Sequence, residues 1–223
     1  MNNKSLKMAV TGLVLSVSGF ANAGLIAEYD LSTATASTTL NPTFVETDYS
    51  ANGLALINTD NMVTAFDNHF YHNGWDTGLN ASKYYETSIS SSGLFTFSSV
   101  SFSLENVGSV STYWLRSSLD GYAADLSSGN FLDGDVTNFS TDLSTLGVIS
   151  APITFRWFIA SGSMAERAGF ANHECPGSGC GLPDVGQDLQ FFGDVTDVPE
   201  PSTLAILSLG LMGLVARRFM NKA

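Results

Sequence analysis

Short apolar runs separated by turn residues make up most of this chain. Between residues 24 and 197, apolar and aromatic runs alternate with Gly, Asn, Asp and Ser, and turn signals recur about every 8–12 residues. No stretch in that range keeps the i, i+3, i+4 spacing of an amphipathic helix over three turns. The pattern predicts an all-β fold, a single antiparallel β-sandwich of jelly-roll type.

Alternation of apolar and polar residues gives the clearest strands. In SSVSFSLE, Val100, Phe102 and Leu104 share one face and polar residues the other, which predicts a half-buried antiparallel strand. ITFRWFIA (153–160) is aromatic on both faces and is predicted to be central. GLIAEYDL (24–31) is predicted to be a strand with Leu25, Ala27 and Tyr29 on one face, and Ile26, Glu28 and Asp30 on the other. Other predicted strands lie in PTFVETDY, GLALIN, KYYETSIS, GLFTF, STYWLRSSL, VTNFST and DLQFFGDVT.

Two short segments are predicted to form helical turns. One lies at residues 61–64, and the other at 163–169, where MAERAG is rich in helix formers. Two tryptophans, Trp114 and Trp157, lie within predicted strands and are expected in the core.

Residues 1–23 have the three parts of a secretory signal peptide. Lys4 and Lys7 supply the basic region, an apolar stretch follows, and Ala21 and Ala23 form an A-x-A site. We therefore expect export and cleavage by signal peptidase after Ala23, which places the mature chain in an oxidising compartment.

The C-terminal segment has a different composition. Pro199 and Pro201 favour an extended, accessible peptide because each lacks an amide donor. Residues 203–216 carry no charge, and a helix of that length spans only about 21 Å of a hydrocarbon core of about 30 Å. Arg217 and Arg218 follow directly, where basic residues mark a cytoplasmic end. A short transmembrane helix is predicted at 203–216.

This order of features resembles the PEP-CTERM sorting signal of Gram-negative bacteria. The residues that carry the resemblance are Val198, Pro199, Glu200, Pro201, Ser202, Arg217 and Arg218. The resemblance implies processing by exosortase near Pro-Glu-Pro. It also implies transient anchoring in the inner membrane, and then transfer to the cell surface or extracellular matrix, often in bacteria that make extracellular polysaccharide. The chain thus divides into a signal peptide (1–23), a β-sandwich ectodomain (24–197) and a sorting signal (198–223).

A second resemblance concerns the ectodomain. Residues 114–122 (WLRSSLDGY) and 153–156 (ITFR) are similar to the jelly-roll ectodomain common among these sorted proteins. Many carbohydrate-binding modules share that fold, so the resemblance supports the fold more than a ligand.

Charge limits the class of partner. Residues 24–216 contain four of the nine basic residues and all 21 acidic ones, a formal charge of −17. Such a surface repels nucleic acid and anionic lipid, and nucleic acid is not expected as a partner.

The two cysteines, Cys175 and Cys180, enclose Pro-Gly-Ser-Gly. In an exported protein this spacing predicts a small disulfide loop. The alternative is a zinc site that also uses His173 and Glu174, but no second ligand pair follows.

A candidate sugar site lies in HFYHNGWDTGLN. Tyr71, Asn73, Trp75 and Asp76 combine aromatic faces with short polar side chains, in a stretch too rich in Asn and Gly to be all core. The alternative is that Trp75 anchors this segment to the sandwich. His69 and His72 would suit a metal only on a helix, because in a strand they lie on opposite faces.

Other site chemistry is sparse. Residues 130–135 (NFLDGD) offer clustered oxygens for calcium, although the EF-hand pattern is missing. We expect no catalytic residues and no cofactor beyond that calcium hypothesis. Three functions remain open: a carbohydrate-binding protein of a polysaccharide or biofilm layer, a secreted glycosidase-like hydrolase on the same fold, and a purely structural matrix protein.

Overall fold

Fifteen β-strands make up nearly all the regular structure in the described part of the chain. The computed structural model describes residues 23–34, 38–58, 61–64, 69–132, 134–164, 166–172 and 186–195. The strands are β1 (Gly24–Tyr29), β2 (Thr39–Leu40), β3 (Phe44–Val45), β4 (Tyr49–Ala51), β5 (Leu54–Ile57), β6 (Asn61–Thr64), β7 (His69–Asn73), β8 (Tyr84–Ser91), β9 (Phe95–Val107), β10 (Ser111–Ser117), β11 (Ser127–Phe131), β12 (Thr137–Asp142), β13 (Ile153–Ala160), β14 (Arg167–Ala171) and β15 (Leu189–Val195).

The strands form two sheets that pack face to face. Sheet A follows the pairing path β3-β1-β15-β9-β14-β7-β6, with β12 also paired to β9. Sheet B follows β11-β10-β13-β8-β5-β2, with β4 also paired to β8. Every described strand pair is antiparallel. The predicted all-β sandwich is confirmed.

Strand β9 organises sheet A. Its residues 99–101 pair with both β12 and β15, and Leu104 pairs with both β12 and β14. Because a strand has only two edges, β14 and β15 lie end to end along one edge and β12 occupies the other. The predicted segments GLFTF and SSVSFSLE are therefore parts of one 13-residue strand.

The polar face of β9 is covered, which corrects the predicted half-buried strand. Val100, Phe102 and Leu104 face the core as expected, but Ser103 and Glu105 on the other face are fully buried too. Both have protein partners: Ser103 Oγ accepts a hydrogen bond from the Gln187 amide at 2.6 Å, and Glu105 accepts one from a tyrosine hydroxyl.

The start and finish of the described ectodomain lie side by side. Strand β1 follows Ala23 directly, and Gly24 stands opposite Gly193 of β15. A register irregularity between Leu25 and Ala27 buries two successive residues, Ile26 and Ala27. A β-bulge of this kind breaks strict alternation, so the predicted two-face pattern of this strand is wrong at Ile26.

The first predicted helical turn is wrong, and the second is wrong from Arg167 onward, although the Glu166 amide donates to the Ser163 carbonyl in a turn at 3.2 Å. Asn61–Thr64 forms β6 and pairs with β7. Arg167–Ala171 forms β14, between β7 and β9. In the second case sheet pairing overrides the helix propensity of MAERAG, as tertiary context regularly does.

Aromatic packing fills the space between the sheets. Trp157 of sheet B is fully buried, as predicted, and its ring lies 5.5 Å from that of Phe170 and 5.8 Å from that of Phe102 in sheet A. Edge-to-face contacts of this kind add to the apolar area that the core removes from water.

Several predictions fall on residues outside the described ranges. These are signal-peptide residues up to 22, the Cys175–Cys180 disulfide, the sorting residues from 198 onward and the helix at 203–216. Within the described ranges, no helix has the length and apolar character that a bilayer crossing requires.

Candidate functional site

The structure places the predicted sugar-binding rings inside the protein. Trp75 is 0% exposed, its Nε1 donates to the Ala168 carbonyl at 2.9 Å, and its ring lies 5.3 Å from that of Tyr85. Tyr71 is 3% exposed and its hydroxyl donates to Glu105. Neither ring offers a face to a sugar, so the alternative role of Trp75, anchoring its segment to the sandwich, describes its position.

The two polar residues of that predicted site, Asn73 and Asp76, are part of the folded structure around them. Asp76 pairs with Lys83, with Nζ to Oδ1 at 3.2 Å, and accepts a hydrogen bond from the Asn80 amide. The Asn80 amide, followed by Lys83, lowers the pKa of Asp76. Lys83 also donates to the Gly74 carbonyl at 2.7 Å, which ties this loop together. Asn73 ends β7, and its Oδ1 is buried.

The two histidines of β7 lie on opposite faces, as a strand requires. His69 Nε2 is 3.3 Å from Glu105 Oε2. His72 packs between the sheets, with ring centroids 5.0 Å from Phe70 and 5.5 Å from Tyr85. Burial lowers the pKa of His72 to about 3. The two side chains do not form a ligand pair.

Metal-binding geometry is missing from the described residues. No cluster of three or more His, Cys, Asp or Glu side chains there is arranged to hold an ion. In the segment predicted for calcium, Asn130 accepts a hydrogen bond from Thr112 at 2.8 Å, and Gly134 forms a turn at φ 72°. Asp133 lies outside the described residues, and calcium binding stays a prediction.

A different region, the outer face of sheet B, combines partly exposed aromatic rings with charged groups. Alternation along β8, β10 and β13 sends one set of side chains into the core and the other outward. Within the β10–β13 register, Trp114 stands opposite Phe158 and Arg116 opposite Arg156, while Arg156 stands opposite Glu86 of β8. We call the following set the aromatic–arginine platform: Tyr84, Glu86, Trp114, Arg116, Tyr122, Asp125, Arg156 and Phe158.

Arg156 is the centre of the platform. Its guanidinium carbon lies 4.1 Å from the ring centroid of Tyr84 and 3.8 Å from that of Tyr122. Its Nε donates to Glu86 Oε2 at 2.6 Å. Stacking between two rings fixes the plane of the guanidinium, and the ion pair fixes its rotation. The side chain is nevertheless 24% exposed.

Arg116 is fixed in a similar way. Its Nε donates to Asp125 Oδ1 at 2.6 Å, its Nη1 donates to the Tyr122 carbonyl at 3.2 Å, and its guanidinium lies 5.5 Å from the Phe158 ring. Phe158 is buried beneath its neighbours, whereas Trp114 and Tyr84 remain partly exposed. The platform is thus a rigid layer of rings and planar charged groups.

A strained loop brings Tyr122 onto this layer. Gly121 and Tyr122 both have left-handed backbone conformations, with φ 70° and 64°. The Tyr122 amide donates to the Ser117 carbonyl at 3.0 Å, and the Asp120 carboxylate accepts from the Ala124 amide at 2.8 Å. A tyrosine at positive φ costs free energy, and such residues concentrate at functional sites.

The sequence pattern did not predict the aromatic–arginine platform, because it placed Trp114 in the core. The structure corrects that expectation, because Trp114 faces outward. In STYWLRSSL, Trp114 has the same parity as Arg116, while Tyr113 and Leu115 have the other parity and are buried. An arginine on the tryptophan's own face was the available signal that this face is not core.

Comparisons with known proteins identify the C-terminal segment. Residues 197–218 match the family model described as the PEP-CTERM protein-sorting motif. The motif indicates an exported protein that is transiently anchored in the membrane and then processed to the cell surface. No curated protein matches the chain.

The chain is similar to two solved structures of carbohydrate-binding modules. One is a mutant of CBM29-2 complexed with mannohexaose, at 12% identity and a TM-score of 0.34, covering 77% of this chain and 93% of that chain. The other is "Carbohydrate binding module family29", at 14% identity and a TM-score of 0.36, covering 82% and 99%. Likeness at this level says nothing about the ligand of this chain.

Proposed function

We propose that this exosortase-sorted surface protein binds polysaccharide, without catalysis, through the aromatic–arginine platform. The observation that carries the proposal is that Trp114 and Tyr84 stay partly exposed beside two immobilised arginines, although a compact sandwich buries most of its large rings. Pyranose rings present C–H groups on one face and hydroxyls at the edge. An aromatic ring beside planar polar groups matches both.

The arrangement of acids favours binding over hydrolysis. Glycoside hydrolysis uses two carboxyl groups on either side of the scissile bond, one of them free to donate a proton. On the platform, Glu86 and Asp125 each accept a short hydrogen bond from an arginine. These contacts support a recognition role for both carboxylates.

Affinity electrophoresis of the processed protein in gels containing soluble polysaccharides tests the proposal. We expect retardation of the wild type and loss of retardation in Trp114→Ala and Tyr84→Ala. Val148→Ala is the matched control, because Val148 is 60% exposed and lies outside the platform. Wild-type mobility that no polysaccharide changes would contradict the proposal.

The sorting step is tested separately from the ligand. Replacing Pro199, Glu200 and Pro201 with alanines should leave the full-length form in the membrane fraction, because the extended peptide offered to exosortase is lost. Immunoblots of membrane and released fractions measure this. Unchanged processing of the variant would refute the sorting role of the triplet.

A further inference from the structure

The charged groups of the platform are balanced among themselves. Arg116 and Arg156 stand directly opposite each other, which is an unfavourable arrangement for like charges in a sheet. Each guanidinium is paired with its own carboxylate, Asp125 or Glu86. Two positive and two negative side chains leave the platform with no net formal charge.

From this balance we infer that the platform takes a neutral polysaccharide rather than an acidic one. The inference rests on the proposed function and specifies its ligand class. A ligand carboxylate would have to share arginines that protein carboxylates already hold, and it would lie close to both of those negative charges. A neutral hexose meets no such repulsion.

The hydrogen-bonding capacity of the paired side chains suits hydroxyl groups. Arg156 uses Nε for Glu86, and no hydrogen bond from its terminal nitrogens is seen within the described residues. Glu86 is 29% exposed beside it. A donor edge next to an acceptor oxygen complements a sugar hydroxyl, which both donates and accepts. Because the two tyrosine rings hold Arg156 in place, little side-chain entropy is lost on binding.

The negative charge of the ectodomain also disfavours an acidic polysaccharide. The ectodomain, residues 24–197, has four basic and 20 acidic residues, a formal charge of −16. The two basic residues of the ectodomain that lie off the platform are Lys83, which is held by Gly74 and Asp76, and Arg167, in β14 of sheet A. A polyanion approaching within the Debye length, about 8–10 Å at physiological salt, therefore meets a repulsive field.

The experiment uses the processed protein and two sets of probes. The neutral set is hydroxyethylcellulose, galactomannan and dextran, and the acidic set is alginate and polygalacturonate. Retardation is measured for the wild type, Glu86→Gln and the matched control Glu46→Gln. Glu46 lies on the exposed segment after β3, in the other sheet.

We expect the wild type to bind at least one neutral probe, with affinity changing by less than about twofold between about 20 and 500 mM NaCl. Glu86→Gln should weaken binding to the neutral probe about tenfold. It should also create measurable binding to an acidic probe at low salt, because the platform then carries one net positive charge. Glu46→Gln should behave as the wild type.

Two results are distinguishable failures. Wild-type binding to acidic probes alone, weakening as salt rises, overturns the neutral class and leaves the proposed function standing. Wild type and Glu86→Gln that bind no probe of either set overturn the proposed function and the inference together.

Discussion

The outer faces of the two sheets carry similar residues, but these are buried on sheet A and partly exposed on sheet B. On sheet A, Tyr71 and His69 surround Glu105, and all three are closed to solvent. On sheet B, Arg156 and Glu86 meet beside aromatic rings and remain 24% and 29% exposed. Aromatic rings next to ionisable groups thus indicate a binding surface only where the face that carries them is open.

The energetic roles of the two faces differ accordingly. Burial and the Glu105 carboxylate raise the pKa of Tyr71, so its hydroxyl stays protonated and donates to that carboxylate. Removing the Tyr71 hydroxyl takes a hydrogen-bond donor from a buried carboxylate, which costs at least about 1–3 kcal/mol. The partly exposed ion pairs of sheet B contribute about 0–1 kcal/mol each to stability. Variants on sheet A should therefore change stability, and variants on sheet B should change binding.

The largest expected effect is in the core between the sheets, at Trp75, two residues after β7 of sheet A. Trp75→Ala removes a fully buried ring and its hydrogen bond to Ala168, and should lower the free energy of unfolding by about 3–5 kcal/mol. Urea denaturation followed by fluorescence measures the loss. The milder variant Trp75→Phe should keep polysaccharide binding. If Trp75→Ala stays as stable as the wild type but no longer binds polysaccharide, Trp75 is part of the sugar site and not only a structural residue.

The next effect is a pH dependence set by His72. Its pKa is about 3 in the folded protein against an ordinary value of 6.5, because burial disfavours the charged form. Below pH 6.5 the unfolded chain binds a proton that the folded one does not. Stability is therefore fully present above pH 6.5, and this site removes about 1.4 kcal/mol per pH unit as the pH falls toward 3.

His72→Phe isolates that contribution. Both ring nitrogens of His72 are buried without hydrogen-bond partners, so a phenyl ring of similar size should be tolerated or stabilising. We expect the difference in unfolding free energy between variant and wild type to grow as the pH is lowered from 6.5 to 4. A constant difference across that range would show that His72 titrates normally.

The third effect compares Trp75, in the core between the sheets, with Trp114, on the outer face of sheet B. Trp114→Ala should reduce polysaccharide affinity at least about tenfold, or 1.4 kcal/mol. It should lower stability by less than Trp75→Ala does, because Trp114 is only partly buried. Isothermal titration and urea denaturation on the same samples give both quantities. Equal stability losses in the two variants would show that Trp114 is as structural as the core residue Trp75.

Sequence patterns predicted the strands better than they predicted exposure. The parity of β9 and β13 placed Phe102 and Trp157 in the core correctly, because side chains alternate strictly along a strand. For Trp75 the pattern left two roles open, because neighbouring Asn and Gly suggest a loop. Whether a loop folds back over a sheet is decided by distant partners such as Ala168.

The platform itself depends on geometry that local patterns do not encode. The meeting of Arg116 and Arg156 requires the β10–β13 register, which joins residues 40 positions apart. The return of Tyr122 over the sheet requires a left-handed turn that tyrosine disfavours. Parity could have placed Trp114 and Arg116 on one face, but only the folded chain shows what lies beside them.

The smallest expected effect on stability is at Tyr122, where two contributions oppose each other. Tyr122→Gly relieves a backbone held at φ 64°, worth about 1 kcal/mol, and loses the stacking on Arg156, worth about 0.5–1 kcal/mol. Stability should stay within about 1 kcal/mol of the wild type. Polysaccharide binding should still fall, because one wall that fixes the Arg156 guanidinium is gone.

Tyr122→Phe is the control that keeps both the aromatic ring and the backbone conformation. It keeps the aromatic face at 3.8 Å from the guanidinium and the same left-handed conformation, so binding should remain near that of the wild type. Titration of all three proteins with the same neutral polysaccharide measures the order. If Tyr122→Gly binds as well as Tyr122→Phe, the fixed orientation of Arg156 is not what makes sheet B a binding face. The contrast with sheet A would then rest on the partly exposed rings of Trp114 and Tyr84 alone.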